Sequence, residues 1–258
     1  MKHILGLILQ GLFLLAVPVV LVTTSVRWAI NDLRLYSYAF EKYQIAREPL
    51  LLGETGLAGT LPKEQLVQVA REFRSYFYSG EARLNVRVNI GGVEGPLFKE
   101  REIDHMVDVK GLVRRVYRTQ EGSLAYVVLY VLAGLILWRK GFLTVLARGL
   151  LRGSLLTLAF LAVAGVTAVV AFPWAFYLFH LLGFRNEFWQ LDPAVYNLTR
   201  IFPEGYFLDA TMFIALASLV QALIVAVASW WYLRWRKKRD EQPGALGLRT
   251  KGPGLPSS

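Results

Sequence analysis

Four stretches of this 258-residue chain carry no charged side chain: Ile4–Val26, Gly122–Trp138, Gly153–Phe179 and Ala210–Leu233. Each reaches or passes the roughly 17 to 25 residues that a helix rising about 1.5 Å per residue needs to cross a hydrocarbon core of about 30 Å. The pattern predicts an α-helical integral membrane protein with four transmembrane helices, at residues 1–26, 122–138, 153–179 and 210–233. The second is the shortest, and length is what separates it from a buried core helix. The first follows Lys2 and ends on the small residues of "TTS", as a signal peptide would, but its apolar run exceeds the usual h-region of about 7 to 15 residues and predicts an uncleaved anchor.

Residues 27–121, between the first two spans, predict a small mixed α/β domain. In its first part Trp28, Tyr36, Tyr38, Phe40 and Tyr43 form an aromatic belt of the kind found at membrane interfaces. "TLPKEQLVQVAREFRSYFYSG" then places Leu66, Val69, Ala70, Phe73 and Phe77 on one helical face before Gly80. "RLNVRVNI" alternates Leu84, Val86, Val88 and Ile90 with polar residues, the period of a half-buried strand, and "GGVEGP" reads as a turn. After the third span, residues 180–209 form an apolar, aromatic loop in which Asp192 is expected to cap a short helix with Pro193 at its first position.

Charge orients this arrangement. Of the 29 Lys and Arg residues, 12 fall in residues 1–3, the loop 139–152 and the tail 234–258, with only Asp240 and Glu241 to oppose them. The remaining basic and acidic residues cancel, so the whole net charge of +10 lies on one predicted side. The positive-inside bias makes that side, and both termini, cytoplasmic, and makes residues 27–121 and 180–209 extracytoplasmic. "RWRKKR" abuts a span and reads as a topology anchor rather than a nucleic-acid patch, so no nucleic acid is expected as a partner. The tail 234–258, Pro-, Gly- and Ser-rich toward its end, reads as disordered. Cysteine is absent, which excludes thiol nucleophiles, thiolate metal ligands and disulfides within the chain. Gln10 and Gln221 are the only large polar residues in the spans, too few for a solute pathway.

The chain has three histidines: His3, His105 and His180. His105 lies in "FKEREIDHMVDVKG", where Phe98, Glu102, His105, Val109, Leu112 and Val116 share a helical stripe. Glu102 and Asp108 each stand three positions from His105, so either is placed to accept its ring N–H and fix the tautomer. The same spacing suits a charged pair on a solvated helix. His180 ends the third span on the same predicted side as His105.

The two histidine segments, "LFKEREIDHMVDVK" and "FHLLGFRNEFWQLDP…IFPEGYF", together with the four-span plan, resemble a family of bacterial membrane proteins that includes the lipoprotein intramolecular transacylase Lit. The resemblance covers most of residues 1–235 and implies a multi-pass protein of the cell membrane with an extracytoplasmic active site. Its reaction would move the sn-2 acyl chain of a diacylated lipoprotein's first residue, an S-modified cysteine, to that cysteine's α-amino group, giving a lyso-form lipoprotein. The family's two catalytic histidines map onto His105 and His180, and the implied partners are a diacylated bacterial lipoprotein and membrane lipid.

An amine attacking an ester within one molecule needs no enzyme nucleophile and no cofactor, but it needs a base and a proton donor. His105 is assigned as the base, and His180 as the group contacting the oxyanion or the leaving oxygen. Arg101, Lys110 or Arg185 would aid the oxyanion, and Asn186 or Trp189 would orient the loop. Two other classes fit the composition: a metal-dependent hydrolase using Glu102, His105, Asp108 and His180, though no metal is assigned, and a non-catalytic sensor or accessory protein with a partner-binding outer domain.

Overall fold

The structure, a computed structural model, describes residues 2–137 and 141–241. Four long helices dominate it: α1 (Lys2–Asn31), α4 (Glu100–Leu137), α5 (Phe142–Gly183) and α7 (Glu204–Glu241). All four are long and apolar enough to cross a membrane, and the protein is a multi-pass membrane protein. Its bundle is turned inside out relative to a soluble one. Val163, Val169, Val170 and Leu182 are more than two-thirds exposed, while Ser154, Thr157, Ser218 and Ala222 are fully buried between helices. In lipid, large apolar side chains gain nothing by leaving the surface, and small residues let backbones approach. At Gly153 an added Cβ would stand 2.6 Å from Val17, so only glycine admits that crossing. Ser218 donates to Ser25 at 2.9 Å and Gln221 donates to it at 2.8 Å, joining α7 to α1.

The helices outrun the apolar stretches. α4 starts at Glu100, just after Phe98, and passes into the second span without a break. Residues 142–152, expected as part of a loop, are the first turns of α5. The reason is amphipathicity: Phe142, Leu146 and Leu150 pack toward Phe13, Val17 and Tyr130, while the side chains of Arg148 and Arg152 are exposed. α7 likewise continues through Arg234 to Glu241, so the first part of the tail expected to be disordered over 234–258 is helix. Arg139 and Lys140, and the rest of that tail from residue 242, lie outside the described residues. α5 is bent at Ala171 (φ −143°, ψ 40°), two residues before Pro173, whose ring and missing N–H break the hydrogen-bond ladder there.

Between α1 and α4 lie α2 (Leu33–Lys42), a short 3-10 turn, β1 (Leu50–Leu51), β2 (Ala58–Gly59), α3 (Lys63–Tyr78), β3 (Arg87–Ile90) and β4 (Val93–Pro96). The five apolar residues predicted for one face of α3 are all buried, as are Leu84, Val86, Val88 and Ile90. "VEGP", expected as turn, is instead β4: Gly91 and Gly92, both at positive φ (61° and 89°), close a two-residue hairpin that pairs Ile90 with Val93. Tyr36 and Phe40 belong to the domain core, not to an interfacial belt, because α2 folds back against α3 and the segment after α5. That segment enters the same core through α6 (Asn197–Ile201), with Leu198, Ile201 and Phe202 buried. Asp192 does not cap α6: its side chain accepts from Ala194 N at 2.8 Å in an isolated turn, and Tyr196 is the residue before the helix. Two prolines flank these residues, and no intrahelical ladder forms until Asn197.

Candidate active site

His105 and His180 meet. α4 carries His105 on its second turn, before the apolar stretch begins at Gly122, and α5 carries His180 on its last turn beyond the Ala171 bend. Their ring centroids are 6.2 Å apart and the rings are inclined by 31°. Both are buried, at 7 % and 8 % exposure. The walls are aromatic. Phe184 presents its edge to His105 at 5.1 Å, while Phe176 (4.4 Å), Trp189 (5.0 Å) and Phe179 (5.3 Å) surround His180.

His180 Nδ1 donates to the Phe176 carbonyl at 2.7 Å. A carbonyl only accepts, so neutral His180 carries its proton on Nδ1 and leaves Nε2 as the free acceptor. His105 Nδ1 is buried without a partner. Burial in this apolar surround, reinforced by the neighbouring His180 and opposed by Asp108, brings the His105 imidazolium pKa down to about 4. The ring is therefore neutral at ordinary pH, with a polar atom that the protein does not satisfy.

The carboxylates divide in a way the spacing did not reveal. Glu102 is fully buried and accepts from Lys99 N at 2.7 Å and from Leu198 N at 2.6 Å. Its carboxyl is pushed up by burial, against the pull of those backbone N–H groups. Asp108 accepts from Asn186 Nδ2 at 2.7 Å. Neither accepts the ring N–H of His105, because each is taken by a segment arriving from beyond α5. Arg101 donates to the Glu187 carbonyl at 2.6 Å and lies over Phe188, with its Nε buried and unpartnered. Trp189 thus stands against His180 and the charge of Asp108 acts on His105, while Arg101 and Asn186 tie the 184–189 segment to α4. Lys110 points elsewhere, donating to Glu81 O at 2.7 Å and standing 3.9 Å from the Tyr76 ring. Arg185 and Asp192 are exposed, and no contact joins either to the pair. Among the described residues no three His, Cys, Asp or Glu side chains gather to hold a metal.

Two features escaped the sequence. Phe176, Phe179 and Phe184 form the cage, and their spacing about His180 was the available signal. Asn197 is buried and donates to Leu51 O and Leu97 O, each at 2.6 Å, while accepting from Leu51 N at 2.9 Å.

A family model described as lipoprotein intramolecular transacylase Lit matches residues 11–207. Among solved structures, the in meso structure of the membrane integral lipoprotein intramolecular transacylase Lit from Bacillus cereus has a TM-score of 0.73 at 18 % identity, covering 93 % of this chain and all of that one. A variant of that protein with a histidine replaced by arginine has a TM-score of 0.69, also at 18 % identity, covering 93 % of this chain and 96 % of that one. At that identity the likeness is one of fold. No curated protein matches this chain.

Proposed function

The chain belongs to the lipoprotein intramolecular transacylase family, and from that premise we propose that it moves the sn-2 acyl chain of a diacylglyceryl-cysteine to that residue's α-amino group, using His105 and His180 as acid/base groups. The observation that carries the proposal is the meeting of two imidazoles 75 residues apart in sequence, in a buried aromatic cage where His105 Nδ1 has no partner.

The α-ammonium, with a reference pKa of about 7.7 to 8.0, must lose a proton before it can attack the ester carbonyl. That proton passes to water, and His105, being neutral, receives the second one, which the nitrogen sheds as it bonds to the carbonyl carbon. A low-dielectric cage makes that imidazolium costly while the site is empty. The negative charge developing on the tetrahedral oxygen offsets the cost, so the cation is favoured only as the transition state forms. His180, held by the Phe176 carbonyl, directs Nε2 toward the same space and contacts the oxyanion or leaving oxygen when protonated. The glycerol oxygen departs with a proton from the pair, the amide remains on nitrogen, and both rings return to neutral. Arg101 anchors the 187–188 backbone beside this space. Fixing amine and ester within one substrate supplies much of the rate, as proximity alone is worth about 7 to 11 kcal/mol in good geometry.

The side of the membrane follows from charge. With the 12 basic residues of 1–3, 139–152 and 234–258 in the cytoplasm, the domain at 27–121 and the segment 180–209 are extracytoplasmic, where mature lipoproteins are found. Reporters fused after Arg239 should read cytoplasmic and those between Leu61 and Gly80 external; the reverse would separate the pair from its substrate.

The activity is tested by expressing the chain in a bacterium whose lipoproteins are only diacylated and following one N-terminal lipopeptide by tandem mass spectrometry. Intramolecular transfer leaves the total mass unchanged with one acyl group moved from glycerol to nitrogen. Loss of an acyl mass would identify a lipase, and an unaltered peptide would identify a non-catalytic protein.

A further inference from the structure

The end of the bundle opposite the histidine pair holds a second group of polar residues. A cavity of about 320 Å³ opens between α1, α4 and α5, and Gln10, Gly11, Phe13, Tyr130, Arg148 and Arg152 are among its lining residues. It adjoins another of about 380 Å³ that shares Gln10, Tyr130 and Val145. Arg148 precedes His180 by 32 residues, about 48 Å of helix at 1.5 Å per residue, so this site and the histidine pair lie near opposite faces of a hydrocarbon core of about 30 Å.

Arg148 and Arg152 stand one turn apart on the same face of α5. No carboxylate lines either cavity, and among the described residues neither guanidinium has an ion-pair partner. Their planar donor forks match phosphate oxygens, and the Gln10 amide adds a third polar group. The remaining walls are apolar. Gly11 leaves its side of the cavity open, since no heavy atom lies within 4 Å of where its Cβ would be.

We propose that this cavity binds the phosphate of an anionic phospholipid from the leaflet opposite the histidine pair. Inorganic phosphate would satisfy the guanidinium groups but leave Leu9, Leu14 and Val145, which line the cavities and are at most half-buried, without an apolar occupant. A lipid supplies both chemistries in one molecule, already concentrated at the membrane surface. Bound there, it bridges the foot of α5, the helix that carries His180, to α1.

The test is native mass spectrometry of the full chain released from vesicles of phosphatidylglycerol and phosphatidylcholine. The protein should retain phosphatidylglycerol selectively, and Arg148→Gln with Arg152→Gln should weaken retention by about 10- to 30-fold. Gly11→Leu fills the cavity while leaving both arginines in place, and should also abolish selective retention. Equal retention of the two lipids, or unchanged retention in either variant, overturns the proposal. Displacement of the lipid by millimolar inorganic phosphate would overturn it in favour of a free-anion site. No turnover is read, so failure here leaves the acyl-transfer proposal standing.

Discussion

Within one turn of α4 the protein buries two polar groups and treats them in opposite ways. Glu102 is enclosed by the domain core, where backbone N–H groups of Lys99 and Leu198 meet its oxygens. Asn197, beside Leu198, joins the strand at Leu51 to the chain at Leu97. Three residues on from Glu102, His105 leaves Nδ1 buried and unmet, and its partner His180 is held only through its own helix. Buried polar groups that hold a fold find partners within it. An unmet one in an aromatic cage marks the place where a ligand is to complete the set. On this contrast, the Glu102–Asn197 knot fixes where the segment after α5 runs, and the histidine pair uses the space that this leaves.

The sharpest way to break the comparison is to remove each group and read both activity and stability. His105→Ala and His180→Ala should each lower acyl transfer by about 10² to 10⁴, the usual worth of a general acid/base group, with little change in membrane level or melting temperature. Glu102→Ala should do the reverse. It strands two buried N–H groups, each costing about 1 to 3 kcal/mol, and should lower the melting temperature in detergent by many degrees. Asn197→Ala should resemble Glu102→Ala. If His105→Ala melted as early as Glu102→Ala, the two groups would not differ in kind.

Acid provides a second, smaller test. His105 titrates near 4 in the folded protein against about 6.5 unfolded. Between those values the unfolded chain binds more protons, so stability is full above about pH 6.5 and falls as pH drops toward 4, by about 3 kcal/mol in all. Glu102, whose carboxyl is pushed up by burial, acts in the opposite sense: its folded form gains relative stability as it takes up a proton. The informative quantity is therefore the difference between parent and His105→Ala across pH 4 to 7: close to zero near pH 7, it should open toward the acid end, where the parent becomes the less stable of the two. In activity, no loss attributable to His105 should appear between pH 8 and 5. The rate should instead rise with pH toward the α-amine's reference value of about 7.7 to 8.0.

The sequence made some of this visible and hid the rest for a common reason. Unbroken apolar stretches disclosed four spans, period 3.6 disclosed the buried face of α3, and period two disclosed the inward residues of β3. These are local properties, repeated along one element. The spacing of Glu102, His105 and Asp108 correctly put them near one another, but it could not say which distant segment would claim each carboxylate. Leu198 claimed one and Asn186 the other. Asn197 is not legible in the sequence, because its neighbours along the chain carry no trace of Leu51 or Leu97, its partners 146 and 100 residues away. The pairing of His105 with His180 was legible only through the family resemblance and the shared predicted side of the membrane.

The smallest expected effect concerns the bond between Asn186 and Asp108. Asn186 donates to Asp108 at 2.7 Å and accepts from Phe188 N at 3.0 Å, so it ties the segment carrying Trp189 to the helix carrying His105. Both side chains are partly exposed. Asn186→Ala should therefore cost only about 1 kcal/mol of stability, while slowing transfer severalfold as Trp189 loses its place beside His180. Asp108→Asn separates two roles for this pair, because the introduced amide still offers Asn186 an oxygen but removes the negative charge that favours the His105 imidazolium. A slower rate in Asp108→Asn, with the melting temperature unchanged, would assign Asp108 to the proton transfer. Equal slowing in both variants, each with a small loss of stability, would assign it to holding the loop and would move Asp108 to the structural side of the comparison with Glu102.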